Sequence, residues 1–158
     1  MTLGTPHKSP ETALVDQTRG LLRAVEETEG CSAEGLAKHG ISVTCVGGTS
    51  VEGKFLTNDL EEIVATTSYL PLVGDWTKVL KGEVTGDGII PRDLAFMDGC
   101  ANRVEVEKCS ITGNNVRHAH VLPTPYNLWA PAEPSISLPE EFCWYGSEGV
   151  IDQWIDYI

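Results

Sequence analysis

Ile41-Ser42-Val43-Thr44-Cys45-Val46 places apolar side chains at every second position and runs into Gly47-Gly48. That spacing predicts a half-buried strand followed by a glycine turn. Downstream, Asn102-Arg103-Val104-Glu105-Val106-Glu107-Lys108 alternates strictly, the pattern of a strand with one wet face. Upstream, Thr2-Leu3-Gly4-Thr5-Pro6-His7 reads as the end of a third strand. Between these runs the period changes to that of helices. Leu14, Leu21, Leu22 and Val25 form one stripe over Pro10–Glu29, with Glu26, Glu27 and Glu29 toward solvent. Asn58 with Glu61 resembles a capping box ahead of Leu60, Ile63 and Val64. Pro91 suits the first position of a helix carrying Leu94, Ala95, Phe96 and Met97. Ser147 is placed to cap a closing helix over 147–158 with Val150, Ile151, Trp154, Ile155 and Ile158 on its apolar face.

Strands alternating with helices predict an α/β fold of three layers around a mostly parallel sheet. Only three strands are credible, with Ile89-Ile90 as a candidate fourth. A parallel sheet buried on both faces usually has more, so this reads as part of a sheet. The expectation is a single partial domain over 1–158. Within it lie an irregular excursion at 67–85, a proline-rich loop holding histidines at 110–141, and the terminal helix at 147–158.

The chain has 158 residues, 23 acidic and 11 basic, for a net charge of −12. That length supports one core and not two ordinary domains. The acidic excess argues against a nucleic-acid partner, which needs clustered Lys and Arg. No apolar run approaches the roughly 20 residues of a membrane helix, so no transmembrane segment is expected. The five cysteines (Cys31, Cys45, Cys100, Cys109, Cys143) include no CxxC pair. They read as free thiols in a reducing compartment. The residues ahead of the first strand read as neither a signal peptide nor a transit segment, so none is expected within this sequence.

Two loops carry candidate chemistry. Asp87 sits in Gly86-Asp87-Gly88, where flanking glycines permit close approaches, although such a tripeptide taken alone is more often a simple turn. His118 and His120 lie in Val116-Arg117-His118-Ala119-His120. They could be an exposed loop pair, or two imidazoles on one strand face holding a metal. Together the loops say more. An aspartate after one strand and a histidine after the next is the order of the last two members of a Ser–Asp–His triad.

At this point the residues resemble a family. Leu3-Gly4-Thr5-Pro6-His7 looks like the strand end after the nucleophile helix of lipase-like α/β-hydrolases, and Gly40–Gly47 like the next core strand. Gly86-Asp87-Gly88-Ile89-Ile90-Pro91 resembles their acid loop. Trp144-Tyr145-Gly146-Ser147, followed by Val150, Gln153 and Trp154, is similar to the terminal helix of a plant and algal group of lipase-like or GPI inositol-deacylase-like members. The resemblance implies the carboxyl-terminal half of an α/β-hydrolase fold, with Asp87 as the triad acid. The family's Val-x-His pattern maps onto Val116-Arg117-His118, making His118 the base. Roughly eight extra residues before it leave His120 as runner-up. His7 is expected to line the substrate pocket rather than act in catalysis, with Tyr126 and Trp129 as further pocket residues. The family implies chloroplast or cytosol as the compartment.

The family's G-x-S-x-G nucleophile elbow is absent from this sequence. Gly48-Thr49-Ser50 ends in Glu52, Gly30-Cys31-Ser32 ends in Glu34, and Ser147 has Tyr145 where the first glycine belongs. The favoured expectation is a fragment of an ester-bond hydrolase that supplies acid and base to a serine in a missing amino-terminal half. Alone it would be inactive; completed, it would act on a lipid-like or small ester. The alternatives are a non-catalytic α/β binding module around the same loops, and a His-based metal protein. No motif asks for a cofactor.

Overall fold

A computed structural model describes residues 1–9, 18–118 and 142–158. In chain order its elements are β1 (Thr2–Leu3), α1 (Leu21–Glu27), α2 (Ala33–Ala37), β2 (Thr44–Gly48), β3 (Val51–Lys54), α3 (Leu60–Tyr69), α4 (Trp76–Leu80), β4 (Lys81–Gly86), β5 (Asn102–Val106), β6 (Val116–Arg117), β7 (Cys143–Trp144) and α5 (Glu148–Ile151). Short 3₁₀ turns lie at Glu29–Cys31, Arg92–Leu94 and Ile155–Tyr157.

The central sheet is β1–β2–β5, all parallel, with Leu3 opposite Val46 and Val46 opposite Val104. Neighbouring residues of β2 point to opposite faces, and both faces are covered. Val46 packs with Val104, Val106, Val116, Tyr145, Val150 and Trp154 on one side. Cys45 packs with Ala33, Val43, Ile90, Ala95 and Phe96 on the other. A third core lies between α3, α4 and the β3–β4 ribbon, built on Val51, Ala65, Tyr69 and Val79. Val46, Val106, Val116 and Val150 are fully buried. At roughly 1.5–3 kcal/mol each, such valines outweigh exposed ion pairs like Arg92–Glu105, which contribute about 0–1 kcal/mol. The architecture is thus mixed α/β with a parallel central sheet, as the alternation predicts. No described helix is long and apolar enough to cross a membrane.

Several local expectations need correction. The stretch 67–85 is not irregular: it holds the end of α3, all of α4 and most of β4, and β4 pairs antiparallel with β3. Ile89-Ile90 forms no strand, because the Ile90 backbone closes the Asp87 loop instead. Arg92–Leu94 is a 3₁₀ turn, and Phe96 beyond it is buried. The cap of α3 is Asp59, whose side chain accepts from Glu61 N–H, and not Asn58. The terminal helix stops at Ile151, with Ile155 and Ile158 exposed. Ser147 precedes α5 without a side-chain cap, its Oγ accepting from Trp144 N–H instead. α1 covers the later part of the predicted 10–29 helix, and residues 10–17 lie outside the described residues. Gly47 and Gly48 belong to β2 rather than to a turn. A Cβ on Gly47 would lie 2.7 Å from the Phe96 ring, so this glycine permits packing.

Candidate functional site

The β3–β4 ribbon delivers the chain from the end of β2 to the acid loop. At Gly86 a Cβ would stand 2.2 Å from the Ile90 carbonyl oxygen and 2.6 Å from the Tyr69 hydroxyl, so no larger residue fits. Asp87 N–H donates to Ile90 O at 3.3 Å, and Gly88 completes the turn at φ +92. Tyr69 fastens the loop from below: its hydroxyl accepts from Gly88 N–H at 2.8 Å and donates to Val51 O at 3.1 Å. Burial, with the neighbouring charge of Asp87, pushes its phenol pKa upward even though Gly88 N–H pulls the other way.

Asp87 is 1% exposed, and both its oxygens are served. Oδ1 accepts from Ile89 N–H at 3.1 Å and Ile90 N–H at 2.7 Å, an Asx turn made within its own loop. Oδ2 accepts from the Tyr145 hydroxyl at 2.7 Å and lies 2.8 Å from His118 Nδ1. The Tyr145 oxygen in turn accepts from Gly48 N–H at 2.7 Å, which commits the phenol proton to Asp87. A carboxylate in such a place accepts and does not donate, so Nδ1 carries the imidazole proton. In the neutral ring the lone pair then sits on Nε2, which makes no hydrogen bond among the described residues.

His118 reaches this position despite the extra residues before it. Gly113 N–H donates to Cys109 O and Cys109 N–H to Asn114 O, both at 2.9 Å, folding the added residues into a tight turn. Val116 then returns, its N–H donating to Glu107 O at 2.9 Å, and β6 pairs in parallel with β7. Arg117 forms an ion pair with Glu61 of α3, and His118 N–H donates to Asp87 O at 3.0 Å. The ring is about one-fifth exposed and meets Tyr145 edge-on.

The end of β1 floors the pair. Gly4 has φ +55, and a Cβ there would stand 2.7 Å from Asp87 Oδ2, 2.7 Å from the Tyr145 ring and 2.9 Å from His118 Nδ1. Gly48 likewise passes so close that a Cβ would lie 2.7 Å from the Asp87 Cβ. Backbone from two parallel strands therefore packs directly against the acid and base.

Of the residues singled out in the sequence, Asp87 and His118 are brought together. His120, Tyr126 and Trp129 lie outside the described residues. His7 is half-buried, with Nε2 2.9 Å from Thr2 Oγ1 and 3.7 Å from Cys45 Sγ. It has no hydrogen bond to Asp87 or His118 among the described residues. Burial holds its pKa below the ordinary value. Sequence reasoning missed Tyr145, Tyr69, Gly4 and Gly48. Tyr145, Gly4 and Gly48 lie inside quoted motifs (Trp144–Ser147, Leu3–His7 and Gly47-Gly48) that assign them no role. All five cysteines are free. Burial raises the Cys109 thiol, yet the Thr112 hydroxyl and the N–H groups of Thr112 and Ile111 outweigh it and bring it down to about 7. Among the described residues, no three His, Cys, Asp or Glu side chains converge as a metal site.

No family model, curated protein or solved structure matches this chain.

Proposed function

We propose that Asp87 and His118 are the acid and general base of a serine-hydrolase-like site acting on ester bonds, serving a nucleophile that this sequence does not contain. The observation that carries the reading is the 2.8 Å contact between a buried carboxylate, hydrogen-bonded at both oxygens, and Nδ1 of a histidine whose Nε2 makes no hydrogen bond among the described residues. The order of parts supports it: the acid follows β2 and its ribbon, the base follows β5, and the two strands are parallel neighbours. On this reading the chain is the later half of an α/β-hydrolase fold.

The chemistry follows from the geometry. Nε2 takes the hydroxyl proton as a serine attacks the ester carbonyl, and the imidazolium that forms is stabilised across Nδ1–H by Asp87. Nε2 then returns the proton to the leaving alcohol. Oxyanion donors are required as well, and in this class of site one comes from the residue after the nucleophile. The substrate class is a lipid-like or small ester.

Translation of the coding sequence upstream of Met1 tests the proposal. An in-frame Gly-x-Ser-x-Gly should occur within roughly 30–50 residues, one strand–helix unit. The longer product should hydrolyse a short-chain aryl ester, and His118→Ala and Asp87→Asn should abolish that activity. Hydrolysis that survives His118→Ala would overturn the assignment. A stop codon directly upstream, with ligand binding but no hydrolysis by the folded chain, would favour a non-catalytic binding module.

A further inference from the structure

The geometry points to Tyr145 as a positioning residue of this site: its phenol sets the acceptor strength and orientation of the Asp87 oxygen that faces His118. The catalytic meaning of the inference rests on the acid–base reading above, but the hydrogen-bond geometry stands without it.

The two oxygens of Asp87 have different partners. Oδ1 is held by two amides of its own loop, so the carboxyl group cannot turn without breaking both. Oδ2 has two donors, His118 and Tyr145, at 2.8 Å and 2.7 Å. They draw on the same negative charge, so a stronger phenol donor weakens the acceptor that His118 sees. The phenol's direction is fixed as well. Gly48 N–H donates to its oxygen from the end of β2, and its ring lies edge-on to the imidazole with centroids 6.3 Å apart. Burial and the charge of Asp87 both push the Tyr145 pKa up, which favours the protonated phenol that donates. The motif around it is built to hold it. Trp154 Nε1 donates to Tyr145 O at 3.1 Å, and Ser147 Oγ accepts from Trp144 N–H at 3.0 Å. Trp144-Tyr145-Gly146-Ser147 thus has a task beyond starting α5: it carries a phenol 58 residues along the chain back to Asp87.

Tyr69 supplies the internal control. It is an equally buried phenol under the same loop, but its hydroxyl meets the Gly88 amide and the Val51 carbonyl, not the carboxylate.

The test is proton NMR of the His118 Nδ1–H in the labelled chain. Tyr145→Phe should leave the circular dichroism spectrum native and move that resonance downfield, because Oδ2 becomes a better acceptor for His118. Site-specific 3,5-difluorotyrosine at 145 keeps the shape and strengthens the donor, so the resonance should move upfield. Tyr69→Phe, which frees the Gly88 amide and the Val51 carbonyl but no partner of Oδ2, should move it less than Tyr145→Phe does. Opposite shifts for the two changes at 145 are a signature that simple packing would not give. If Tyr145→Phe does not fold, the fluorinated protein decides the matter alone. An unmoved resonance in the fluorinated protein, or an equal shift in Tyr69→Phe, would overturn the inference. The NMR result does not depend on hydrolysis, so failure of the esterase reading and failure of the Tyr145 role are separately visible.

Discussion

His118 is tied to Asp87 twice, through its backbone N–H to the Asp87 carbonyl at 3.0 Å and through Nδ1 to the carboxylate at 2.8 Å. The first contact fixes the distance between the two loops, and the second fixes the ring's tautomer. A histidine held only by its side chain could swing away. Here the main chain prevents it.

Asp87→Asn should disturb both loops. An amide can keep one oxygen on Ile89 and Ile90 N–H, but its NH₂ then faces Tyr145 and His118, where two donors already point. The expected cost is about 1–3 kcal/mol in urea denaturation. The imidazole should also change tautomer, seen as loss of the Nδ1–H resonance.

Gly4→Ala should both destabilise the chain and displace the pair. The left-handed backbone and the 2.7–2.9 Å encounters with Asp87, Tyr145 and His118 add to about 2–5 kcal/mol, read from the urea midpoint. Gly40 is the control: at φ +74 it has nothing within 4 Å of an added Cβ. Gly40→Ala should therefore carry only the backbone cost and leave the His118 resonance unchanged.

His7 should make stability depend on pH. Burial holds its folded pKa below the ordinary 6.5, so the unfolded chain binds a proton that the folded chain refuses. The stability contributed by the neutral ring is fully present above that value and is lost as pH falls through it. In His7→Gln this component disappears. The difference in urea midpoint between wild type and variant should narrow from about pH 7.5 to about pH 5.5. A constant difference would show that the ring does not titrate on unfolding.

Thiol reactivity should follow exposure and not acidity. Cys31 is exposed and should react quickly with a disulfide reagent. Cys100 is partly covered and should be slower. Cys45, Cys109 and Cys143 are buried and should react only as the chain unfolds. This holds for Cys109 even with its thiol near 7, because a thiolate that reagents cannot reach is not a nucleophile toward them.

The parallel strands were legible because Val104 and Val106 alternate with Arg103 and Glu105, and the structure buries that set. The β3–β4 ribbon was not, for a reason that can be named. Val51, Glu52, Gly53 and Lys54 do alternate buried and exposed. The second buried position, however, is a glycine beneath the Tyr69 ring, where a Cβ would be 2.8 Å away. A pattern whose apolar member is supplied by a residue of α3 cannot be seen in the strand's own letters. The same holds at the site. The order of Asp87 and His118 along the chain suggests a pair, but Gly4, Gly48 and Tyr145 join it through contacts spanning most of the sequence.

The two oxygens of Asp87 differ in how far their partners must travel. Oδ1 is satisfied by residues two and three positions away, whereas Oδ2 waits for partners 31 and 58 positions along the chain. Closing the longest of these loops costs about 2–3 kcal/mol more chain entropy than closing the local turn. The turn can therefore form in a chain that is still largely unfolded, while the distal oxygen is completed only when β6 and β7 dock. During opening the order reverses. Amide exchange at Gly48, whose proton is held by the Tyr145 hydroxyl, should report undocking of the carboxyl-terminal elements before the Ile90 amide is released.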